Sequence, residues 1–170
     1  MINSSSGQMT VAITDKVFIH YGKERSKQVP STVVNIQDKQ YAAADGFLCT
    51  FSNGLWNLVA VVEAKTRWPP VTYESICNDP AYERRLVMDE EKLNRCNFIA
   101  QELGVEFWSI SIFDHEKTYL VQRIKDSFGN VKSDYYLKDV EVRKNMNTQE
   151  TKVKSQAFIS IETAKPYKYD

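Results

Sequence analysis

YAAADGFLCTF (41–51) and LWNLVAVVEAKT (55–66), joined by Ser52-Asn53-Gly54, decide how the rest of the chain is read. Two β-rich runs around Asn-Gly read as a hairpin, because a tight turn needs residues that tolerate positive φ. Both runs are largely apolar on both faces, the pattern of a sheet covered on two sides. Asp45, Glu63 and Lys65 interrupt them. A charge in such a strand is costly unless it is paired or holds a metal. If 52–54 form a three-residue loop with Gly54 left-handed, Phe51 faces Leu55 and Asp45 faces Val61. Glu63 then lies one diagonal step along, and the three odd-numbered charges project together. A two-residue loop at Asn53-Gly54 instead turns Asp45 to the other face. The spacing permits the cluster without forcing it.

Outward from the hairpin, MDEEKLNRCNFIAQELG (88–104) places Leu93, Cys96, Ala100 and Leu103 at helical spacing. Asp89 is a candidate cap, acids fill the first turn and Gly104 can close the end. VEFWSISIFD (105–114) is aromatic and β-branched, hence a strand. The strand–helix–strand series 55–66, 89–103 and 106–113 predicts a crossover with the two strands parallel. Further strands are expected at 117–124, 131–143 and 156–162, separated by turns at 114–116 and 127–130 and a polar stretch at 145–150. WPPVTYESICNDPAYERR (68–85) reads as a loop with a short helical turn. Upstream, VVNI (33–36) is a short strand, punctuated by QDKQ. Residues 22–31 read as a loop, and 1–10 as a frayed terminus. VAITDKVFIHY (11–21) fits a strand and a short helix alike. The tail KPYKYD is expected to be loose.

A chain of 170 residues with 42% hydrophobic and 12% aromatic content can bury a real core, which excludes wholesale disorder. There is no apolar run of about 18 residues to span a membrane. MINSSSGQMT lacks a basic and an apolar region, so no signal peptide is expected. Lys+Arg and Asp+Glu both number 22, which argues against coating nucleic acid by bulk charge. It leaves room for a local basic groove or a metal-assisted enzyme. Cys49, Cys77 and Cys96 form no CxxC and suit a reducing, cytoplasmic setting. His20 and His115 are isolated, His20 reading as structural and His115 as solvated. Trp56 and Trp108 are expected in the core; Trp68, before Pro69-Pro70, is the one placed to stack on a base.

Two carboxylates and an amine on one face suit a hard divalent cation, since Mg²⁺ takes oxygen ligands and keeps several waters. Asp45 and Glu63 are the expected ligands, with the Ala64 carbonyl a third. Lys65 is placed to position a water or neutralise charge in a transition state. Arg67, Lys92 and Arg95 are the nearby basic residues for phosphate contact; Arg67 reads equally as water-facing at the strand exit, and Lys92 and Arg95 read first as a solvated helix face.

Asp45, the hairpin, Glu63-Ala64-Lys65 at a strand end, then a helix and a further strand resemble the PD-(D/E)XK nuclease superfamily. The spacing of eighteen residues from Asp45 to Glu63, the run VAVV before Glu63, Arg67 after it and the ending ELGVEFWSISIFD carry the likeness, over about residues 41–124. The last of these is like the corresponding strand of phage and bacterial members.

The resemblance implies an α/β fold: a mixed central β-sheet with a flanking helix, a restriction-endonuclease-like core over about 33–124 in a single domain, and a β-rich C-terminal extension over about 125–165. It implies a Mg²⁺-dependent nuclease, with Mn²⁺ an alternative ion, cutting phosphodiester bonds in DNA, less often RNA, through a metal-activated water. Asp45, Glu63 and Lys65 are then catalytic, and Glu24 in GKERSK is the candidate for an additional acidic ligand from an N-terminal helix. A homodimer is expected by family analogy. The chain departs from the pattern in having Ala44 where a proline precedes the aspartate, and Gln101 without the tyrosine of the exonuclease branch. The other reading is a binding module for nucleic acid or protein that turns nothing over.

Overall fold

The computed structural model describes residues 3–36, 44–145 and 147–170, with the side chains of the first helix from residue 7. The expected punctuation at 37–40 and the first residues of the hairpin's leading strand, 41–43, lie outside the described residues.

The chain opens with helix α1 (Asn3–Ser26), followed by strands β1 (Ser31–Asn35), β2 (Gly46–Ser52) and β3 (Leu55–Thr66). A short helix α2 (Tyr73–Asn78) and a 3₁₀ turn (Pro80–Tyr82) lead to β4 (Arg85–Asp89) and α3 (Glu90–Leu103). Then come β5 (Glu106–Phe113), β6 (Thr118–Lys125), β7 (Tyr135–Arg143), β8 (Thr151–Ser160) and β9 (Lys165–Lys168). Six strands form a mixed sheet in the order β1-β2-β3-β5-β6-β9, and β4-β8-β7 form a second, antiparallel sheet. In the larger sheet β3 and β5 run parallel and the other neighbours antiparallel. The fold is therefore α/β with a β-rich C-terminal part. No helix among the described residues is long and apolar enough to cross a membrane.

α1 covers one face of the larger sheet. Its Ile13, Val17, Phe18 and Tyr21 pack on Val62, Trp108, Ile110 and Tyr119. These helix residues recur at one-turn spacing, so one stripe is buried while Ile19 stays 59% exposed. This overturns the frayed terminus at 3–10, and the helix runs five residues into the expected loop 22–31. The apolar residues of 17–21 have no clean period locally, and only the sheet they cover selects a helix.

On the opposite face, Leu93, Cys96 and Ala100 of α3 meet Val61 and Phe107, with Ala157 and Ile159 of β8 beside them. The crossover through α3 pairs Glu63 with Ser109 and Lys65 with Ser111. Gly104 closes α3 in the left-handed conformation. Asp89 does not cap it by a side-chain bond. Its carboxylate is taken by Lys154 Nζ at 2.5 Å and Gln156 Nε2 at 3.3 Å.

Five further expectations change. The segment read as a loop at 68–85 ends by entering β4, which pairs with β8. The strand expected from 131 begins at Tyr135, and the last long strand starts at Thr151. The tail pairs as β9 on the edge of the larger sheet, Tyr119 opposite Tyr167, and Tyr169 is buried. At the hairpin tip Trp56 is 56% exposed, not core, and lies 5.4 Å between ring centroids from Phe51. Strands β2 and β3 overhang the covering layers there.

Candidate metal and phosphate site

The turn of the hairpin has two residues, Asn53 and Gly54, with φ of 53° and 77°, and Ser52 pairs with Leu55. That register alone would set Asp45 on the face away from Glu63. A bulge corrects it. Cys49 opposes Leu58 but Leu48 opposes Ala60, leaving Val59 as the extra residue in β3. Beyond the bulge Gly46 pairs with Val62, and the same register carried one residue further sets Asp45 level with Glu63. A single inserted residue thus restores the parity that a three-residue loop would have supplied.

Asp45 sits just ahead of β2, anchored by its backbone. Its amide donates to the Val62 carbonyl at 3.0 Å, and its carbonyl accepts from the Ile36 amide at 2.8 Å. Its carboxylate Oδ2 accepts from the Ala64 amide at 2.9 Å. In an extended strand a residue's N–H and C=O point to the same side, so the Ala64 carbonyl also lies on the Asp45 edge of β3.

Glu63 is 9% exposed and turns toward α3. Lys92 Nζ lies 3.3 Å from Oε2, and the Cys96 Sγ–H donates to the same oxygen at 3.9 Å. Lys92 and Cys96 are one turn apart, which is why one face of α3 reaches Glu63 twice. Burial pushes the Glu63 acid up from the ordinary 4.5 to about 8. The Asp45 carboxylate, close enough to take a hydrogen bond from protonated Glu63, adds to the rise, and Lys92 opposes it. Burial and the Glu63 charge also push the Cys96 thiol up.

Glu63, Lys65 and Arg67 alternate onto one face of β3 and line a cleft of about 250 Å³ with Met88, Asp89 and Lys92. Lys65 stays exposed at the rim. Partial desolvation, then the Arg67 guanidinium, holds its ammonium below the usual lysine range, while Asp89 and Glu63 pull the other way. Arg67 is set deeper. Burial lowers it to about 10, and Nη2 donates to Ser111 Oγ at 3.5 Å.

Of the residues singled out in the sequence, Asp45, Glu63, Ala64, Lys65, Arg67 and Lys92 come together. Glu24 does not. It lies on α1, across the sheet, accepting from Lys27 Nζ at 2.9 Å. Arg95 pairs with Glu91 one turn away on α3 and does not line the cleft. Lys92 faces the buried carboxylate rather than open solvent. Asp89, Lys154 and Cys96 join the site without having been singled out for it. Asp89 before an acidic helix start reads as a cap, and nothing local shows that β8 will bring Lys154 to it.

The acidic set suits a small hydrated cation. Two carboxylates meet one ammonium at the pair, and burial first, then the Asp45 charge, raises the Glu63 acid against the pull of Lys92. The available donors are all oxygens, as Mg²⁺ prefers. Among the described residues there is no group of three or more His, Cys, Asp or Glu side chains arranged to hold a metal. The side-chain set here is two, with backbone oxygen and water to complete it. Comparison with family models, with curated proteins and with solved structures finds no match for this chain.

Proposed function

We propose that this chain is a Mg²⁺-dependent nuclease that hydrolyses phosphodiester bonds in DNA, on a restriction-endonuclease-like core. The observation that carries the reading is the Asp45–Glu63 carboxylate pair, short of positive charge, with Lys65 two residues along on the same face. The order of hairpin, Glu63-Ala64-Lys65, helix and parallel strand supports it, because the resemblance asks for that order and α3 supplies the crossover.

In this mechanism Asp45 and Glu63 would hold the ion, with the Ala64 carbonyl as a third donor. When bound, the ion polarises a phosphoryl oxygen and makes a water more acidic. Lys65 orients the attacking water in line with the leaving oxygen, and its lowered acidity range suits it to pass a proton. Arg67 meets the phosphate and offsets charge that grows on the equatorial oxygens. Lys92 balances Glu63 when no ion is present, which keeps two carboxylates tolerable in a half-closed cleft.

The test is cleavage of plasmid, linear duplex and single-stranded DNA with Mg²⁺ or Mn²⁺ added to the metal-free chain. Cutting that requires the ion, and that is lost in Lys65→Ala with its thermal midpoint kept, is the expected result. Unchanged cutting by Lys65→Ala removes the mechanism. One observation favours a second reading, a binding module without turnover. The Lys92 ammonium already stands against Glu63, a place where a cation would otherwise be needed. That reading requires DNA retention with no product at any ion concentration and no thermal gain from Mg²⁺.

A further inference from the structure

Next to the carboxylate cleft, and sharing Lys65 and Arg67 with it, is a second hollow of about 310 Å³. Its other walls are mostly apolar and include Trp68, Val71, Tyr82 and Val87. This volume is at the lower end for small-ligand pockets, about 300–1,000 Å³, and the mix of apolar wall with a few polar groups is typical of them.

Two polar atoms on residues lining this hollow, Thr66 Oγ1 and Arg67 Nε, are buried and without a hydrogen-bond partner among the described residues. The Arg67 guanidinium also has no carboxylate within ion-pair reach there, only the long contact to Ser111. Folded proteins leave few such groups unsatisfied, and a buried cation without an anion is costly to keep. By contrast, Arg85 on the same wall is satisfied by Asp134 at 2.9 Å. Of the two orphaned residues, Arg67 lies on the cleft face, while Thr66, next to it in the chain, turns its side chain to the other face; the hollow borders the site where a phosphate would sit.

A ligand that satisfies this has an anionic group for Arg67 and a flat apolar body for the wall. A nucleotide has both parts. We infer that the hollow is a nucleobase pocket, which takes the base next to the phosphate held by Arg67. The inference rests on the proposed action on nucleic acid and narrows it. A base can enter only when it is out of the duplex stack, so the substrate is single-stranded, frayed or flipped beside the cut. Trp68, 45% exposed at the mouth, offers its ring to the base.

The experiment uses the full chain in EDTA, so that binding is read apart from cutting. Deoxynucleoside 5′-monophosphates and inorganic phosphate are titrated by tryptophan fluorescence and calorimetry. Mononucleotides should bind about tenfold or more tighter than phosphate, the size of one base-stacking contact. Trp68→Ala should erase that advantage and leave phosphate binding alone. Arg67→Gln should weaken both. Equal binding of phosphate and mononucleotide, unaffected by Trp68→Ala, overturns the pocket and leaves an anion site. No mononucleotide binding overturns it too, even if the chain cuts DNA. If mononucleotides bind as expected while no ion supports cleavage, the pocket stands and the nuclease reading fails.

Discussion

Glu63 is the residue on which the site's electrostatics turn. Folded, its acid titrates at about 8 against an ordinary 4.5. Between those values the folded chain holds a proton that the unfolded chain has lost. Stability therefore falls as pH rises through this window, and the full penalty is present above about pH 8. Glu63→Gln removes the charge and should raise the metal-free thermal midpoint near pH 8.5, worth about 2 kcal/mol, with the difference vanishing below about pH 4.5. Denaturation across that range checks it; a constant difference would point to packing. Because an ion needs the carboxylate ionised, stabilisation by Mg²⁺ should grow over the same window. Lys92→Ala tests the counter-charge. Its loss should destabilise the metal-free chain by about 1–2 kcal/mol at pH 8, and less at pH 6 where Glu63 keeps its proton. The same variant should gain more from Mg²⁺ than the parent does, measured as the shift in midpoint.

At the scale of elements, the hairpin carries the geometry. Its bulge at Val59 matters because side chains alternate with a period of two, so one extra residue exchanges the faces. Asp45 reaches Glu63 only on the far side of that bulge. Gly46, beside it, has no room to change. A β-carbon there would stand 2.8 Å from a Phe18 ring carbon and 2.8 Å from the Val34 carbonyl oxygen. Gly46→Ala should cost about 1–3 kcal/mol, since the carbonyl belongs to the paired β1 and cannot swing aside. It should also weaken the Mg²⁺ response by displacing Asp45. A chemical-denaturation midpoint equal to the parent's would refute the close packing of α1 on this strand. Asn-Gly marks the hairpin and leaves two registers open; the two-residue turn forms, and the bulge that then restores the shared face has no sequence signal.

Across the whole molecule, two layers meet on the larger sheet, α1 on one face and α3 with the smaller sheet on the other. The C-terminal strand belongs to this frame. Tyr167 stacks on Tyr119 at 5.3 Å between ring centroids, and the Tyr169 hydroxyl donates to Asp114 Oδ1 at 2.5 Å. Removing residues 165–170 uncovers β6 and the aromatic cluster beneath α1. The loss should be on the order of 3 kcal/mol or more, and hydrogen exchange should rise first in 118–125. Unchanged protection there would mean that β9 adds nothing to the fold. The smaller sheet shapes the candidate site through β4 and β8, which carry Asp89 and Lys154 to the rim of the cleft.

The hairpin, the helix over 90–103, the parallel crossover and the charges in apolar strands were legible because each follows from short-range rules. Turn residues, a helical period and the cost of a lone charge are written within a few residues of one another. The long first helix, β4 and β9 were not, because their apolar residues acquire a pattern only against the surfaces they cover. Glu24 and Arg95 share a charge type with the residues of the cleft but not a place in it. Only the tertiary structure decided which charges meet, since that depends on a bulge and on pairings between strands far apart in the chain.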